Sequence, residues 1–438
     1  MKKILVTLLA AFISWTAFAQ VAGDKLTIHK TNGDTVSYYF TGSSNVLSSI
    51  RHTATHMQLY LKGYESLGAF EDLNVDDIDK ITFSVYHASD VSDINLADAS
   101  ATDGAKRLYK YLKLCYGTKT LSSVMADVNW NHKLADHVYA ATGKYPAMNC
   151  YDFIHIYVPD DNNWIHYNDI TPVTEWADAG GLVSLMWHFN VPLSETTEVG
   201  ADGSGVTCDP TKTTFKASRA LMSGTWEHTW FYAQMDKVIA VLLKLQDAGI
   251  SALWRPFHEA AGNATRTKGD WTGSAWFWWG ADGAETYKAL WKAMFDYFAE
   301  KGVHNLVWEW TTQNYNGDAS AYDNDADWYP GNQYVDMIGR DLYGYSASQQ
   351  AIEFSEIQER YSDKLIALAE CGVDATSSAV TAPIYDAWKA GAIWAYFMTW
   401  YGTAMPSDSW WKDALDQDCV ISRDQININA TSVNDIIR

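Results

Sequence analysis

The sequence has 438 residues, of which 47% are hydrophobic and 19% charged, so it suits a large folded protein and excludes a disordered or collagen-like one. The 53 acidic residues outnumber the 32 lysines and arginines, and the net charge of −21 argues against binding to nucleic acids, anionic membranes or anionic polysaccharides. The 21 tryptophans exceed what a core commonly needs, so we expect some to stack against flat ligand faces such as sugar rings.

The first 19 residues have the features of a signal peptide. Two lysines precede a long apolar stretch, and a small–x–small pattern ends at Ala19, so cleavage is predicted there. Gln20 follows the cut where a lipoprotein would have cysteine, and no later stretch reaches the ~20 apolar residues of a membrane-spanning helix. We therefore expect an exported protein, periplasmic or extracellular, that is not an N-terminal lipoprotein and has no transmembrane segment.

Residues 20–95 differ from the rest of the chain. Short runs at 25–30, 35–40 and 81–86 alternate apolar and polar residues around turns, a pattern that predicts a few short strands. The segment is too small for much core of its own. It is predicted to be a small β-rich N-terminal module without a catalytic role, which could mediate attachment or cap the larger domain at 96–438.

From about residue 100 onward, short apolar runs alternate with helix-like segments. Segments 232–247 and 286–301 carry apolar residues at helical spacing, and Gly249 and Gly302 follow them as helix stops. The eight apolar runs are 122–126, 145–149, 182–186, 252–256, 305–308, 335–339, 364–368 and 392–396. Eight such units predict an α/β fold, a closed (β/α)₈ TIM barrel, whose active site lies at the C-terminal strand ends. A doubly wound open sheet is the alternative, but no glycine-rich phosphate turn follows the first run.

Two glutamates follow strand-like runs at this predicted rim. Glu259 follows the fourth run and Glu370 follows the seventh, so the barrel would bring both carboxyl groups to one site. Cleavage of a glycosidic bond requires one protonated and one ionised carboxyl group. The alternative is that either glutamate forms only a structural salt bridge. Glu309, after the fifth run, is a weaker candidate that we interpret as structural or as a hydrogen-bonding partner of a sugar.

Two motifs give the sequence a family resemblance. Arg255-Pro-Phe-His-Glu259 and Trp276-Phe-Trp-Trp-Gly280 resemble glycoside hydrolase family 26, whose best-known members are β-mannanases, and the resemblance covers about residues 100 to 420. It implies a retaining (β/α)₈ barrel with the acid/base on strand four and the nucleophile on strand seven. Those positions are Glu259 and Glu370.

The resemblance also implies five substrate-binding residues. His258 matches a histidine that contacts the sugar at the cleavage point, and His188 matches a second substrate histidine. Tyr343 matches the tyrosine that hydrogen-bonds the nucleophile. Trp400 matches the aromatic floor under the cleaved sugar, and Trp276 matches the tryptophan on the leaving-group side.

Arg255 is predicted to orient a carboxylate of the site without contacting the substrate itself. It lies two and four residues before Phe257 and Glu259, so strand alternation places all three on one face, and its guanidinium could orient a carboxylate. The loop 260–275 is longer than in a typical family member. This difference affects the Trp276 match and the subsites that would bind the leaving group.

These observations together predict a secreted retaining endo-β-1,4-mannanase that hydrolyses mannan, galactomannan or glucomannan by double displacement, without metal or cofactor. The alternatives are action on another β-glycan such as mixed-linkage glucan or β-1,3-xylan, exo-acting release of mannobiose, or a non-catalytic glycan-binding protein. Five cysteines form no CxxC pair, and their odd number predicts at least one unpaired thiol. Galactose tolerance, disulfide pairing and oligomeric state stay open.

Overall fold

The structure is a computed structural model of the chain. It describes residues 25–32, 35–39, 47–53, 55–61, 70–84, 94–127, 130–159, 164–262, 265–267, 270–272, 274–313, 325–430 and 432–437. The predicted signal peptide, residues 1–19, lies outside the described residues. Within these ranges, no helix combines the length and the apolar character needed to cross a membrane.

Antiparallel strands make up the described part of the N-terminal segment, which confirms that it is β-rich. One sheet has the order β2–β1–β6 and a second has the order β3–β4–β5. The strands are β1 (Lys25–Lys30), β2 (Thr35–Tyr39), β3 (Leu47–His52), β4 (His56–Leu61), β5 (Glu71–Asn74) and β6 (Ile78–Ser84). Leu26, Ile28, Tyr38, Met57 and Leu59 form a small buried cluster separate from the barrel clusters. The role of the segment stays a prediction.

Eight parallel strands close into a barrel, which confirms the predicted fold. They are β7 (Thr120–Met125), β8 (Met148–Asp152), β9 (Leu182–Trp187), β12 (Ala252–Pro256), β15 (Leu306–Thr312), β16 (Met337–Tyr343), β17 (Leu365–Gly372) and β18 (Tyr396–Thr399). Each strand pairs with its neighbour in chain order, and β18 closes on β7 through the pairs from Tyr396↔Leu121 to Thr399↔Val124.

Short strands extend the loops and the barrel edge. Strand β19 (Val420–Ile421) pairs with the start of β7, and β10 (Val191–Pro192) pairs with β11 (Val206–Thr207). Strands β13 (Thr265–Thr267) and β14 (Asp270–Thr272) form a hairpin inside the long loop that follows β12.

Helices surround the barrel between the strands. They are α1 (Asp103–Cys115), α2 (Lys133–Thr142), α3 (Thr171–Asp178), α4 (Ala217–Ala220), α5 (Trp226–Asp247), α6 (Ala284–Glu300), α7 (Ala347–Arg360), α8 (Ile384–Ala390), α9 (Asp408–Leu415) and α10 (Asn434–Ile437). The helix predicted at 232–247 begins earlier because the Thr225 side chain caps its first turn by accepting from the N–H of His228. Gly249 and Gly302 follow α5 and α6 with φ of +76° and +84°, a left-handed conformation that ends a helix.

Two predicted strands are displaced by about three residues. The second barrel strand is Met148–Asp152 and not 145–149, and the eighth is Tyr396–Thr399 and not 392–396. Ile393, Trp394 and Ala395 are buried before the strand begins. An apolar run marks burial, and burial extends beyond the hydrogen-bonded strand.

Most tryptophans with resolved burial pack inside the protein, so the expectation that surplus tryptophans line a ligand surface holds for few of them. Nine have less than 2% of their surface exposed: Trp176, Trp187, Trp254, Trp278, Trp279, Trp291, Trp310, Trp394 and Trp411. They belong to the cluster between strands and helices, where wide indoles fill the space around the barrel. All five cysteines are free thiols, three of them buried.

Candidate active site

A cavity of about 510 Å³ opens at the C-terminal ends of the barrel strands. Its lining includes seven residues that the sequence singled out: His188, His258, Glu259, Trp276, Tyr343, Glu370 and Trp400. Arg255 does not line the cavity, because it is 1% exposed and lies under the carboxylate of Glu370. The structure therefore brings the predicted residues together at one rim, and their individual roles stay predictions.

A β-bulge turns Glu370 toward the cavity. The pairing of β16 with β17 shifts between Arg340↔Leu368 and Asp341↔Glu370, so Ala369 is an extra residue on β17. Ala369 belongs to the cluster inside the barrel, and Glu370 lines the cavity directly after it. Two consecutive residues thus face inward, which regular alternation forbids and a bulge allows.

Two groups hold the Glu370 carboxylate. The Tyr343 hydroxyl donates a hydrogen bond to its Oε2 at 2.7 Å, and Arg255 Nη2 forms an ion pair with its Oε1. Arg255 Nη1 also contacts Asp341 Oδ2 at 3.1 Å. Burial, then the charge of Glu370 and the hydrogen bond to it, raise the pKa of Tyr343 well above its ordinary value, so the phenol remains a donor. Tyr343 and Arg255 are thus both donors to the Glu370 carboxylate.

The backbone leaves strand geometry immediately before Glu259. Strand β12 ends at Pro256, and Phe257 and Glu259 have φ of +47° and +51°. Such left-handed non-glycine residues cost ~1–3 kcal/mol each and concentrate at functional sites. Phe257 consequently packs among aromatic rings outside the barrel, and the prediction that Arg255, Phe257 and Glu259 share one strand face is wrong.

Burial and the neighbouring Asp341 favour the protonated form of Glu259. Burial, then the negative charges of Asp341 and Glu370, raise the pKa of Glu259 well above its ordinary value, and Arg255 opposes this shift. The carboxyl groups of Glu259 and Asp341 form a hydrogen bond, which requires a proton on one of them. Because Asp341 already pairs with Arg255, the proton belongs on Glu259.

Replacing Asp341 by asparagine is expected to move the alkaline limb of the pH–kcat/KM profile to lower pH. A general acid must be protonated, so activity is lost as the pH rises through the pKa of Glu259. Asparagine removes the neighbouring negative charge and can donate to the ionised carboxylate, and both effects lower that pKa. Steady-state rates between pH 4 and 10 measure the limb, and an unmoved limb would contradict the role given to Asp341.

The motif Trp276-Phe-Trp-Trp-Gly280 fixes the backbone that follows two barrel strands, β9 and β12. Trp278 Nε1 donates to the carbonyl of Phe189 at 2.5 Å, and Trp279 Nε1 donates to the carbonyl of His258 at 2.9 Å. A Cβ on Gly280 would lie 1.8 Å from the carbonyl oxygen of Ala260, so the backbone approach requires glycine there. This half of the motif fixes the loop after β12.

Trp276, at the start of that motif, faces the cavity. Its side chain is 37% exposed and lines the cavity wall. The long loop 260–275, part of which forms the β13–β14 hairpin, therefore leads to a tryptophan at the cavity wall, and the assignment of Trp276 to the leaving-group side stays a prediction.

Two histidines form part of the cavity wall. Nε2 of His188 lies 3.1 Å from Nε2 of His258, and Nδ1 of His188 lies 2.5 Å from Oδ2 of Asp152. The ring of Trp400 lies 5.7 Å from that of His188, measured between centroids. His188 and Trp400 thus contact the same part of the cavity.

Comparison with known proteins identifies the family. The sequence profile of glycosyl hydrolase family 26 matches residues 97–425, about three quarters of the chain. The chain belongs to glycosyl hydrolase family 26. The resemblance carried by the two motifs is confirmed, and this family 26 protein is a glycoside hydrolase.

Relatives of this family 26 protein come from fungi, bacteria and protists. A mannan endo-1,4-beta-mannosidase of Thermothelomyces thermophilus is 29% identical over 361 residues, which cover 80% of this chain and 67% of that protein. The family 26 domain of an endo-beta-mannanase/endo-beta-glucanase of Prevotella bryantii is 63% identical, with a TM-score of 0.73, and the match covers 76% of this chain and 99% of that one.

A third relative was solved with a bound sugar. It is a beta-mannanase from a symbiotic protist of the termite Reticulitermes speratus, complexed with gluco-manno-oligosaccharide. It is 29% identical, with a TM-score of 0.60, and the match covers 75% of this chain and 96% of that one. By contrast, the chain spans only about half the length of two mannan endo-1,4-beta-mannosidases of Piromyces, 50% and 47%.

Glu309 of the family 26 barrel is a structural residue. Its side chain is fully buried, and both of its oxygens lie 2.7 Å from the Tyr396 hydroxyl. Burial raises the pKa of Glu309 to about 7, with Arg255 and the Tyr396 hydrogen bond opposing. Of the two interpretations of Glu309, the structure favours the structural one, since the residue does not line the cavity.

Sequence reasoning missed Asp152 and Asp341. Strand alternation places both side chains on the inward face of the barrel. Asp152 is two positions after the inward-facing Cys150, and Asp341 is four positions after the inward-facing Met337. Counting every second residue along these strands would have identified both aspartates as inward-facing. Among the described residues, no group of three or more histidine, cysteine or acidic side chains could hold a metal ion.

Proposed function

We propose that the protein is an endo-β-1,4-mannanase that cleaves with retention through a glycosyl-enzyme intermediate. The observation that carries this proposal is the contrast between the two carboxyl groups. Burial and the nearby Asp341 raise the pKa of Glu259, while the Glu370 carboxylate accepts from Arg255 and Tyr343. Retention requires the two carboxyl groups ~5–5.5 Å apart, against ~6.5–9.5 Å for inversion.

In the first step, Glu370 attacks the anomeric carbon of the sugar above Trp400. Glu259 donates its proton to the departing glycosidic oxygen, so the leaving chain departs as a neutral alcohol. Positive charge develops on the sugar ring in the transition state, and the negative charges of Glu370 and Asp341 favour it.

In the second step, Glu259 acts as a base. Once Glu370 is esterified, its negative charge is gone, and one of the causes that raise the pKa of Glu259 disappears. The ionised Glu259 then accepts a proton from water, which attacks the anomeric carbon and releases Glu370. The two groups return to their starting protonation states.

The substrate class follows from charge and from the relatives. A protein with a net charge of −21 is suited to a neutral polysaccharide rather than an anionic one. Several relatives are mannan endo-1,4-beta-mannosidases, and one was solved with a gluco-manno-oligosaccharide. We therefore propose mannan, galactomannan and glucomannan as substrates. From the sequence alone, we also propose that residues 1–19 direct export and that residues 20–95 form a small module for attachment or spacing, or a cap on the larger domain.

A product profile tests the proposed function. The purified protein is incubated with mannan, galactomannan, barley glucan and xylan, and the products are separated by chain length. Endo action on mannan gives a series of oligosaccharides from the earliest times, whereas exo action gives mannobiose alone. The anomeric configuration of the fresh product, followed by proton NMR, reports retention or inversion. Release of sugar only from glucan or xylan, or from none of the four, would refute the assignment.

Replacing His258 by alanine is expected to lower kcat on mannopentaose by on the order of 10²-fold, which corresponds to ~2.7 kcal/mol. His258 precedes Glu259 and lines the cavity, and hydrogen bonds near the 2-hydroxyl of the cleaved sugar strengthen in the transition state. The loss should therefore fall on kcat more than on KM. Steady-state kinetics on mannopentaose and cellopentaose measure it, and an unchanged kcat on mannopentaose would remove His258 from this role.

A further inference from the structure

A carboxylate that the two-step chemistry does not use anchors the histidine pair. Asp152 is 1% exposed, and its Oδ1 accepts from the backbone N–H groups of Ile154 and His188, both at 2.9 Å. Its Oδ2 lies 2.5 Å from Nδ1 of His188. The carboxylate is thus fixed by the backbone and holds the His188 ring from one side.

His188 is the member of this chain of contacts that reaches the cavity. Its side chain is 15% exposed, whereas His258 is 1% exposed. Its ring lies near those of Trp400 and Phe277, with centroid distances of 5.7 and 5.8 Å. A sugar stacked on Trp400 would therefore lie against His188, while His258 presents a smaller surface to the same cavity.

The contacts restrict where the protons lie. Asp152 accepts from Nδ1 of His188, so that nitrogen carries a proton. The two Nε2 atoms, 3.1 Å apart, share one proton between them. When His188 is neutral, Nε2 of His258 must donate. When His188 is positively charged, Nε2 of His258 must accept, and the proton of His258 moves to Nδ1.

We propose that Asp152 is a positioning residue for substrate binding, which fixes the ring orientation and the Nδ1 proton of His188 and so decides which nitrogen of His258 is protonated. The proposal rests on the proposed function only in naming the ligand, a β-linked mannose chain. A sugar hydroxyl meeting this wall then finds one defined pattern of donors and acceptors for each charge state of His188.

Charges around the pair agree with this assignment. The groups that act on His188 are Asp152, Glu370, Arg255, His155 and His258. Burial opposes a charged His188, but Asp152 and Glu370 outweigh it and raise the pKa of His188 above its ordinary value. Burial, then His188 and Arg255, lower the pKa of His258 well below its ordinary value. A positive charge on the pair therefore belongs to His188.

Asp152→Asn in the full chain tests the proposal. The amide oxygen can still accept from the two backbone N–H groups, but its NH₂ faces Nδ1 of His188 and forces the ring proton onto Nε2. We expect kcat/KM on mannopentaose to fall about 10- to 100-fold, as when a histidine loses its orienting carboxylate. The ¹⁵N spectrum should show neutral His188 protonated at Nε2 instead of Nδ1, with a lower pKa.

Asp98 supplies a matched control. Its Oδ1 accepts from the N–H of Ser100 at 2.8 Å, and its Oδ2 lies 2.8 Å from Nδ1 of His304. Asp98 and His304 precede the first and fifth barrel strands, so this pair lies at the opposite end of the barrel. Asp98→Asn makes the same chemical change and should leave kcat/KM and the His188 signals unchanged.

Three outcomes would overturn the proposal. They are wild-type kcat/KM in Asp152→Asn, an equal loss of kcat/KM in Asp98→Asn, and a wild-type spectrum without a proton on Nδ1 of His188. The last is read on unmodified protein, so it decides even where the variant does not fold. If the wild type cleaves no mannan, the proposed function fails, whereas the ligand-free spectrum still reports whether Asp152 holds that proton.

Discussion

Replacing Glu370 by alanine is expected to lower turnover of β-mannan by at least about 10⁴-fold, because no other group can form the covalent intermediate. Arg255 and Tyr343 remain, but a guanidinium has no acceptor atom, and burial keeps the pKa of the Tyr343 hydroxyl well above its ordinary value, so neither replaces the carboxylate as nucleophile. The sugar-binding wall of His188 and Trp400 is untouched, so the polysaccharide should still bind. Release of reducing sugar measures turnover, and retardation in gels that contain glucomannan measures binding.

Glu309→Gln is the matched control for this experiment. Glu309 is also a buried glutamate at an inward-facing strand position. Because burial raises its pKa to about 7, its carboxyl group is partly protonated near neutral pH, and the neutral side chain of glutamine resembles that protonated form. The variant should keep turnover within an order of magnitude of wild type and bind glucomannan equally. If Glu370→Ala retains turnover while Glu309→Gln loses it, the nucleophile is Glu309 and the assignment of both residues is wrong.

The barrel could be predicted from the sequence because its signal is periodic and repeated. Each strand-like run is short, apolar and followed by a helix, and eight repeats leave few alternatives to a closed barrel. The strand boundaries were harder to predict from the sequence, because burial extends beyond the hydrogen-bonded residues. Trp394, for example, is buried before β18 begins.

The direction of the Glu370 side chain could not be predicted in the same way. Counting by twos from Ala367 places Ala369 inward and Glu370 outward, and only the bulge at Ala369 turns Glu370 into the cavity. Glu259 was reached through its motif, whereas its left-handed backbone at φ +51° has no sequence signal. Strained or irregular backbone departs from the periodic rules on which sequence reasoning depends.

The polar residues behind the site were missed for a different reason. Asp152 contacts His188 from the neighbouring strand, and Asp341 contacts Arg255 and Glu259 from a strand two places along the barrel. Their inward-facing positions on β16 and β8 could have been predicted by counting along each strand, but which side chain on another strand each one meets could not. Such contacts depend on the radial arrangement of the barrel, which only the folded structure supplies.

Replacing Glu259 by alanine is expected to lower kcat/KM on mannan about 10²- to 10⁴-fold, the usual contribution of a general acid. The loss should be much smaller on a dinitrophenyl β-mannobioside, because dinitrophenolate departs without protonation. On that substrate kcat should still fall, since water has no base in the second step, and the glycosyl-enzyme should accumulate with a lowered KM. Stopped-flow release of dinitrophenolate measures both steps.

Glu259→Gln separates loss of the proton from loss of the side chain. Glutamine keeps the size of Glu259 and its contact with Asp341 but cannot transfer a proton, so it should behave like alanine on both substrates. Added azide should restore the second step in Glu259→Ala more than in Glu259→Gln, because a small anionic nucleophile needs no base and only the alanine opens space for it near residue 259. Equal losses on mannan and on the dinitrophenyl substrate, without acceleration by azide, would mean that Glu259 is not the acid/base, and Asp341, its buried hydrogen-bonded neighbour, would be the next group to test.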